Sequence, residues 1–318
     1  MPVLSIVILS HNRLADLQAN LEYLFAAGRE DWEIIVVDNA STDGTPEYLA
    51  GLEHPRLTVV ANQENRGVAG GRNDGFRLAK GKYILCIDDD SQPELGFLND
   101  LPALFAAYPE AGLITPLVLH AQDGTPQNDH GMDPMWVSNF HGSCHAFRRS
   151  LLDEIGFQDE LCTFGGEEID FSVRAHKAGY QTLYHPEYVS RHNSFVRPPA
   201  EQMKRWHRWA YNYARVLGKN FPPEMAKKLA DEHTKQFALK LARAGQPRGS
   251  QTIAQEGLRG LMEGLAANEQ CPVETQRFYS NPDLAPEFGN KTILRKIWHK
   301  VAKPGPAPDL LAGRRKLA

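Results

Sequence analysis

Three aspartates stand side by side at Asp88, Asp89 and Asp90, directly after the apolar run YILCI (83–87), which reads as a buried strand. Like charges repel, and the mouth of an apolar core is where that repulsion costs most. An Asp-x-Asp at a strand end, here Asp88 and Asp90, suits a hard divalent cation, Mg²⁺ or Mn²⁺, holding a diphosphate. Carboxylate oxygens match such ions, and the ion removes the repulsion. A solvated acidic turn is the plain alternative. The apolar strand ahead of the cluster and Pro93 behind it favour the metal.

Carboxylates gather again in GGEEIDFSVRAHKAGY (165–180), which reads as the start of a helix. Glu167, Glu168 and Asp170 fall in its first turn, where negative charge complements the helix dipole. Beyond that structural role, Glu168 is the candidate general base, presented from a helix terminus, with Glu167 as its backup. Asp170 and Arg174 are four apart on one face and make a supporting ion pair. His185 and His192 follow in the extended stretch QTLYHPEYVSRH (181–192). A histidine returning toward an acidic cluster is a ligand candidate, and a structural or exposed role stays open for both. The glycine-rich NRGVAGGRNDG (65–75) does not contain G-x-G-x-x-G and follows the third strand, so a dinucleotide turn is excluded. Backbone amides at a helix start, with Arg72 nearby, suit a phosphate or ribose, and a tight structural turn fits equally well.

Such groups need a frame that brings them together. The first ninety residues alternate strand and helix: VLSIVILS (3–10), EIIVVD (33–38), LTVVAN (57–62) and YILCI are strands, and Leu14, Leu17, Leu21, Leu24 and Phe25 repeat at helical spacing. This alternation implies βαβ units and a mainly parallel sheet. Ligands of such sheets lie beyond the carboxyl ends of the strands. The four strands end at SHNR (10–13), DNAS (38–41), NQENRG (62–67) and DDDS (88–91), so polar groups crowd one edge. Downstream, GLIT (112–115) is a possible strand, a polar loop runs through Met135 and Trp136, and FHGSCHAFRR (140–149) is strand-like. From about Pro198 the pattern turns helical, with AGQPRGSQ (244–251) as a linker and a Pro- and Gly-rich tail.

With 318 residues, 42% hydrophobic, the chain has material for one large domain or a domain with an extension. A net charge of −4 argues against a general nucleic-acid binder. Cys86, Cys144, Cys162 and Cys271 form no CxxC pair and read as reduced thiols, consistent with a cytoplasmic chain without a zinc site. No window reaches the ~18 apolar residues of a membrane span. MPVLSIVILSHNR reads as a first strand and not as a signal sequence.

Taken in order, VILSHNR, VVDNASTDGT, NRGVAGGRNDGF, ILCIDDDSQPE, RRSLLDEIGFQDELCTFGGEEIDFSVRAHKAGY and His192 resemble the inverting family 2 glycosyltransferases, and their rhamnosyltransferase-like branch. The likeness covers residues 1–200. It implies an α/β chain of the GT-A, Rossmann-like nucleotide-diphospho-sugar transferase fold, with a mixed, mainly parallel sheet. A helical C-terminal extension (201–302) and a flexible tail (303–318) would follow. The resemblance places His11 against the nucleobase, Asp38 on the base edge, and Arg72 and Asn73 near the pyrophosphate and ribose. Asn12, Arg13 and Asn65, at the same strand ends, join the donor-binding set, and Asp89 lies against the ribose or donor sugar. Asp88 and Asp90 hold Mn²⁺ or Mg²⁺, and His192 completes the metal shell. The family's usual pair is Glu-Asp, with the Asp as base. Here Glu167-Glu168 stands in its place, so the base becomes Glu168, one methylene longer.

The implied activity is metal-dependent, inverting transfer of a sugar from a UDP- or dTDP-sugar to a hydroxyl of a glycan or lipid-linked acceptor, in cell-surface polysaccharide or glycolipid synthesis. A catalytically silent nucleotide-sugar-binding or assembly subunit is the alternative, favoured only by the Glu-for-Asp change. A nucleotidyltransferase is more distant, because SHNRLADLQANL carries no glycine-rich triphosphate loop. NKTILRKIWHKVAK (290–303) has five basic residues and no acid, with Ile293, Ile297 and Val301 at helical spacing. Such a helix suits an anionic membrane on the inner face, or equally an acidic surface of the protein or a contact in a homo-oligomer.

Overall fold

The computed structural model describes residues 2–194, 198–243, 249–267 and 269–281. The expected alternation opens it: β1 (Leu4–Ser10), α1 (Leu14–Ala26), β2 (Trp32–Asp38), α2 (Thr45–Ala50), β3 (Leu57–Ala61), α3 (Gly67–Leu78) and β4 (Tyr83–Asp88). There follow β5 (Ser91–Pro93), α4 (Leu95–Ala107), β6 (Ala111–His120), β7 (Met135–Val137), β8 (Cys144–Arg148), α5 (Leu151–Ile155), α6 (Glu167–Lys177) and β9 (Gln181–His192). Four helices close the described chain: α7 (Pro199–Asn220), α8 (Pro223–Arg243), α9 (Gly249–Ala267) and α10 (Val273–Ser280).

The strands form one mixed sheet in the order β3-β2-β1-β4-β8-β6-β9-β5, with β7 paired to β9. The β3-β2-β1-β4 half is parallel, with Ser10 opposite Asp38 and Leu9 opposite Asp88. Beyond β4 the pairings are antiparallel, apart from β6 alongside β9. The strand order reverses beside β1, so the carboxyl ends of β1 and β4 open onto one crevice. Period-two alternation explains how the sheet is covered on both faces. Ile6, Ile8, Ile34, Val36, Leu85 and Ile87 enter one apolar cluster, while Val7, Ile35, Ile84 and Cys86 enter the other.

Three differences from the sequence expectation have physical causes. Met135 and Trp136 lie in β7 and not in a loop, because pairing to β9 buries Trp136 and Val137. The strand begun at GLIT runs on to His120, since β9 continues beside it. Of the expected linker 244–251, residues 249–251 open α9 and 244–248 lie outside the described residues. The basic segment 290–303 and the tail also lie outside them.

The helical part shares the main core: Tyr213, Val216 and Leu217 of α7, with Phe221 just after it, pack in the same cluster as β1 and β4. From α10 the Tyr279 hydroxyl donates to Ser138 O at 2.9 Å. Among the described residues, no helix is long and apolar enough to cross a membrane. The four cysteines are free and buried.

Candidate active site

The aspartate cluster sits on the end of β4, facing the end of β1, and the chain itself supplies much of what offsets its charge. Arg72, buried on α3, donates from Nη2 to Asp88 Oδ1 at 2.8 Å. Arg13, at the start of α1, pairs with Asp90 Oδ2 and lies 3.5 Å from Asp89 Oδ1. Ser10 Oγ donates to Asp89 Oδ2 at 2.8 Å. Burial, reinforced by neighbouring Asp90, pushes Asp89 well above the carboxylate range, which favours its neutral form. Burial also opposes ionisation of Asp90, but the hydrogen bond from His192 and the charge of Arg13 hold it below its ordinary value.

From below, Asn20 of α1 fixes the backbone of this turn, donating from Nδ2 to Asp89 O at 2.6 Å and to Ser91 O at 3.2 Å. Asn20 escaped the sequence reading although a signal was present. It is a lone amide on the apolar stripe of α1, among buried Leu17, Leu21 and Leu24.

Asp88, Asp90 and His192 offer ligand atoms that all lie within 4.8 Å of one another. His192 closes β9, so a strand end delivers it, and its Nε2 stands 3.2 Å from Asp90 Oδ1. Its other nitrogen, Nδ1, donates to Gln127 Oε1 at 3.0 Å, which directs Nε2 at the carboxylates. Asp88 is anchored by Arg72 through Oδ1 and leaves Oδ2 for a ligand, while Asp90, anchored by Arg13 through Oδ2, turns Oδ1 to His192 Nε2, a contact that a cation would replace. Two hard oxygen donors and an imidazole fit Mn²⁺ or Mg²⁺. His185 does not join them: it is buried in the middle of β9, its ring 5.0 Å from that of Tyr188.

The second carboxylate group stands on the amino end of α6. Gly165 and Gly166 take φ of 72° and 94°, where side chains are strained, and α7 packs against them. A Cβ on Gly166 would meet Asn212 Cβ at 2.9 Å, and Asn212 Nδ2 donates to Phe164 O at 3.0 Å. Helix α7 therefore props the turn that presents Glu167 and Glu168. Glu167 is buried, with Oε1 3.5 Å from Arg72 Nη1. Its Oε2 is buried and has no hydrogen-bond partner among the described residues. Glu168 is half-buried. Burial raises both glutamates, Glu168 adding to the rise at Glu167, and the charge of Arg72 only partly offsets it. For Arg72 the reverse holds: burial opposes its charge, but Asp88, Glu167 and Glu168 more than compensate. Asp170 pairs with Arg174 at 2.7 Å, as the spacing implied.

The remaining candidates divide between the crevice and its supports. Asp38 is buried at the end of β2 and accepts from Ser41 N at 3.1 Å. His11 is exposed beside it on the adjacent strand end. Asn12, at φ 55°, accepts from Thr42 N at 2.6 Å, joining the loops after β1 and β2. Asn65 accepts from Asn39 Nδ2 and Gly67 N at 3.1 and 2.9 Å, closing the turn into α3. Asn73 turns away from the aspartates. Its amide donates to Gln158 O at 2.9 Å and accepts from Gln158 N at 3.0 Å, so it pins the loop ahead of α6.

Comparisons with known proteins match the chain to glycosyltransferases. A family model described as glycosyl transferase family 2 matches residues 5–156, and one described as glycosyl transferase family group 2 matches residues 83–247. The candidate teichuronic acid biosynthesis glycosyltransferase TuaG of Bacillus subtilis (strain 168) is 31% identical over 134 residues, 39% of this chain and 50% of that protein. The UDP-Glc:α-D-GlcNAc-diphosphoundecaprenol β-1,3-glucosyltransferase WfaP of Escherichia coli is 32% identical over 90 residues, 28% of this chain and 36% of its own. The crystal structure of GalNAc-T7 with UDP, GalNAc and Mn²⁺ superposes with a TM-score of 0.57 at 20% identity, over 70% of this chain and 48% of that one. That likeness shows the GT-A fold. The chain spans half or less of the length of these three proteins.

Proposed function

The chain belongs to glycosyl transferase family group 2, and from that premise we propose that it is a metal-dependent, inverting glycosyltransferase. Its donor is a nucleoside-diphosphate sugar, UDP-linked before dTDP-linked, since UDP is named with both WfaP and GalNAc-T7. Its acceptor is a hydroxyl of a cell-surface glycan or of a lipid-linked precursor, in keeping with the teichuronic acid and diphosphoundecaprenol named for its relatives. One observation carries this reading. Arg72 reaches Asp88 at the cation end with one nitrogen and Glu167 at the base end with the other, so both functions border a single crevice.

Asp88, Asp90 and His192 would hold the Mn²⁺ or Mg²⁺, and when bound the ion would neutralise the charge that develops on the departing diphosphate. Arg72 adds fixed positive charge on the same side. Glu168, its affinity for protons raised by burial, takes the proton of the acceptor hydroxyl. As it does so, the acceptor oxygen bonds to the anomeric carbon from the face opposite the diphosphate. The bond from that carbon to the diphosphate oxygen breaks, and its electron pair leaves with the nucleoside diphosphate. One displacement inverts the configuration. Asp38, His11, Asn12 and Arg13 line the nucleotide side, and Asp89 faces the ribose or sugar. Asn65 and Asn73 support this set through the turn into α3 and the loop before α6.

The test is nucleotide release from UDP-glucose, UDP-galactose, UDP-N-acetylglucosamine and dTDP-rhamnose with Mn²⁺ or Mg²⁺. Release from one donor, abolished by EDTA, is expected. Release from none, or release indifferent to EDTA, would contradict the proposal.

A further inference from the structure

The segment His141–Ser143, between β7 and β8, borders Asp88, Arg72, His192 and Glu168, and nothing in its sequence announces this. Ser143 O accepts from Asp88 N at 3.0 Å, which fixes the carboxyl end of β4. Gly142 O accepts from Arg72 Nη2 at 2.8 Å. The ring of His141 stands 5.9 Å from that of His192, edge toward face, and its Nδ1 is 2.9 Å from Ser143 Oγ. Gly142 itself lies against Glu168. A Cβ built on it would come within 2.5 Å of Glu168 Oε1, 3.4 Å of Cδ and 3.6 Å of Arg72 Nη2.

The backbone of Gly142 is not in the left-handed region, so its conformation does not call for glycine. Space does. A Cβ at 2.5 Å from an oxygen is far inside contact distance, and what would yield is the far end of a flexible side chain. The fold can therefore accept alanine at this position, while the carboxylate of Glu168 cannot stay where it is.

We propose that Gly142 is a positioning residue for the transfer step: its missing side chain is the space that lets a base as long as glutamate stand beside Arg72. This rests on Glu168 being the base. Gly142 acts through Glu168 and touches no substrate in the proposed reaction. Shortening the base by one methylene withdraws its carboxylate from the region that a Cβ at position 142 would fill. The defects of Gly142→Ala and Glu168→Asp should then compensate each other.

The test is a double-mutant cycle on the full chain: wild type, Gly142→Ala, Glu168→Asp and the double variant. It reads kcat and KM for the UDP-sugar turned over by the wild type, and calorimetric binding of UDP with Mn²⁺. Misplacing a catalytic group by about 1 Å costs about 10²-fold, so Gly142→Ala should lose kcat on that order, with UDP–Mn²⁺ affinity changed by no more than about twofold. The double variant should recover at least about tenfold over Gly142→Ala, a coupling that independent sites do not show. Unchanged kcat in Gly142→Ala, or losses that simply multiply in the double variant, would overturn the proposal. Loss of UDP–Mn²⁺ binding in Gly142→Ala would overturn it too, because the damage would then lie at the cation end. A wild type that turns over none of the donors would instead remove the transferase reading on which it rests.

Discussion

The two ends of the crevice hold the same chemical group under opposite electrostatics. At the proposed cation end Asp90 has Arg13 to itself while Asp88 shares Arg72 with the glutamates, and His192 with Arg13 holds Asp90 below its ordinary pKa against burial. At the base end Glu167 and Glu168 share Arg72, and burial lifts both above the ordinary range. A carboxylate that must bind a cation needs its charge at all times. One that must take up a proton works best when its affinity for protons is raised. Their supports differ as well. Strand ends, rigid through the sheet, carry Asp88 and His192, whereas the glutamates ride on a helix terminus propped by α7.

The largest test of this contrast is Glu168→Gln. It removes the proposed base and keeps the shape, so kcat should fall by about 10²–10⁴-fold while UDP–Mn²⁺ binding persists. Loss of both together would erase the division between the ends. Next comes Gln127→Ala, which leaves the cation ligands in place and frees the ring of His192. Support of this kind is worth about 10–100-fold in metal affinity. Mn²⁺ binding measured by calorimetry should weaken within that range, and Gln127→Glu, which still accepts from Nδ1, should restore it. Equal affinity in all three proteins would deny Gln127 its role.

The smallest effect is a displacement on the pH axis. As the proposed base Glu168 acts only when ionised, and burial places its pKa above the ordinary glutamate value of 4.5. Activity should therefore fall as pH drops through a midpoint higher than that. A pH–kcat/KM profile flat down to ordinary carboxylate values would show that the base end is not raised.

Much of the cation end was legible in the sequence because strand ends are. An apolar run followed by DDDS, in a chain that alternates strand and helix, puts Asp88 and Asp90 at a sheet edge without further information. His192 required only that QTLYHPEYVSRH return to the same edge. What stayed hidden depends on which way a side chain turns once long-range packing is set. Asn73 sits next to Arg72 on α3, yet it faces the loop at Gln158 while Arg72 faces Asp88. No local pattern orders those two directions. Arg13 and Gln127 lie 77 and 65 residues from their partners Asp90 and His192. The repulsion among the aspartates, which seemed to demand a bound cation, is already opposed by Arg72 and Arg13, and burial raises the pKa of Asp89. That balance also appears only when the strands are assembled.

The division of labour is tested most directly by calorimetric titration of UDP into wild type, Glu168→Gln and Asp90→Asn, each with Mn²⁺ and with EDTA. Wild type and Glu168→Gln should bind UDP with Mn²⁺ and lose it in EDTA, while Asp90→Asn should bind poorly in both. Binding that survives EDTA, or an Asp90→Asn protein that binds as the wild type does, would contradict the assignment of Asp88, Asp90 and His192 to the cation.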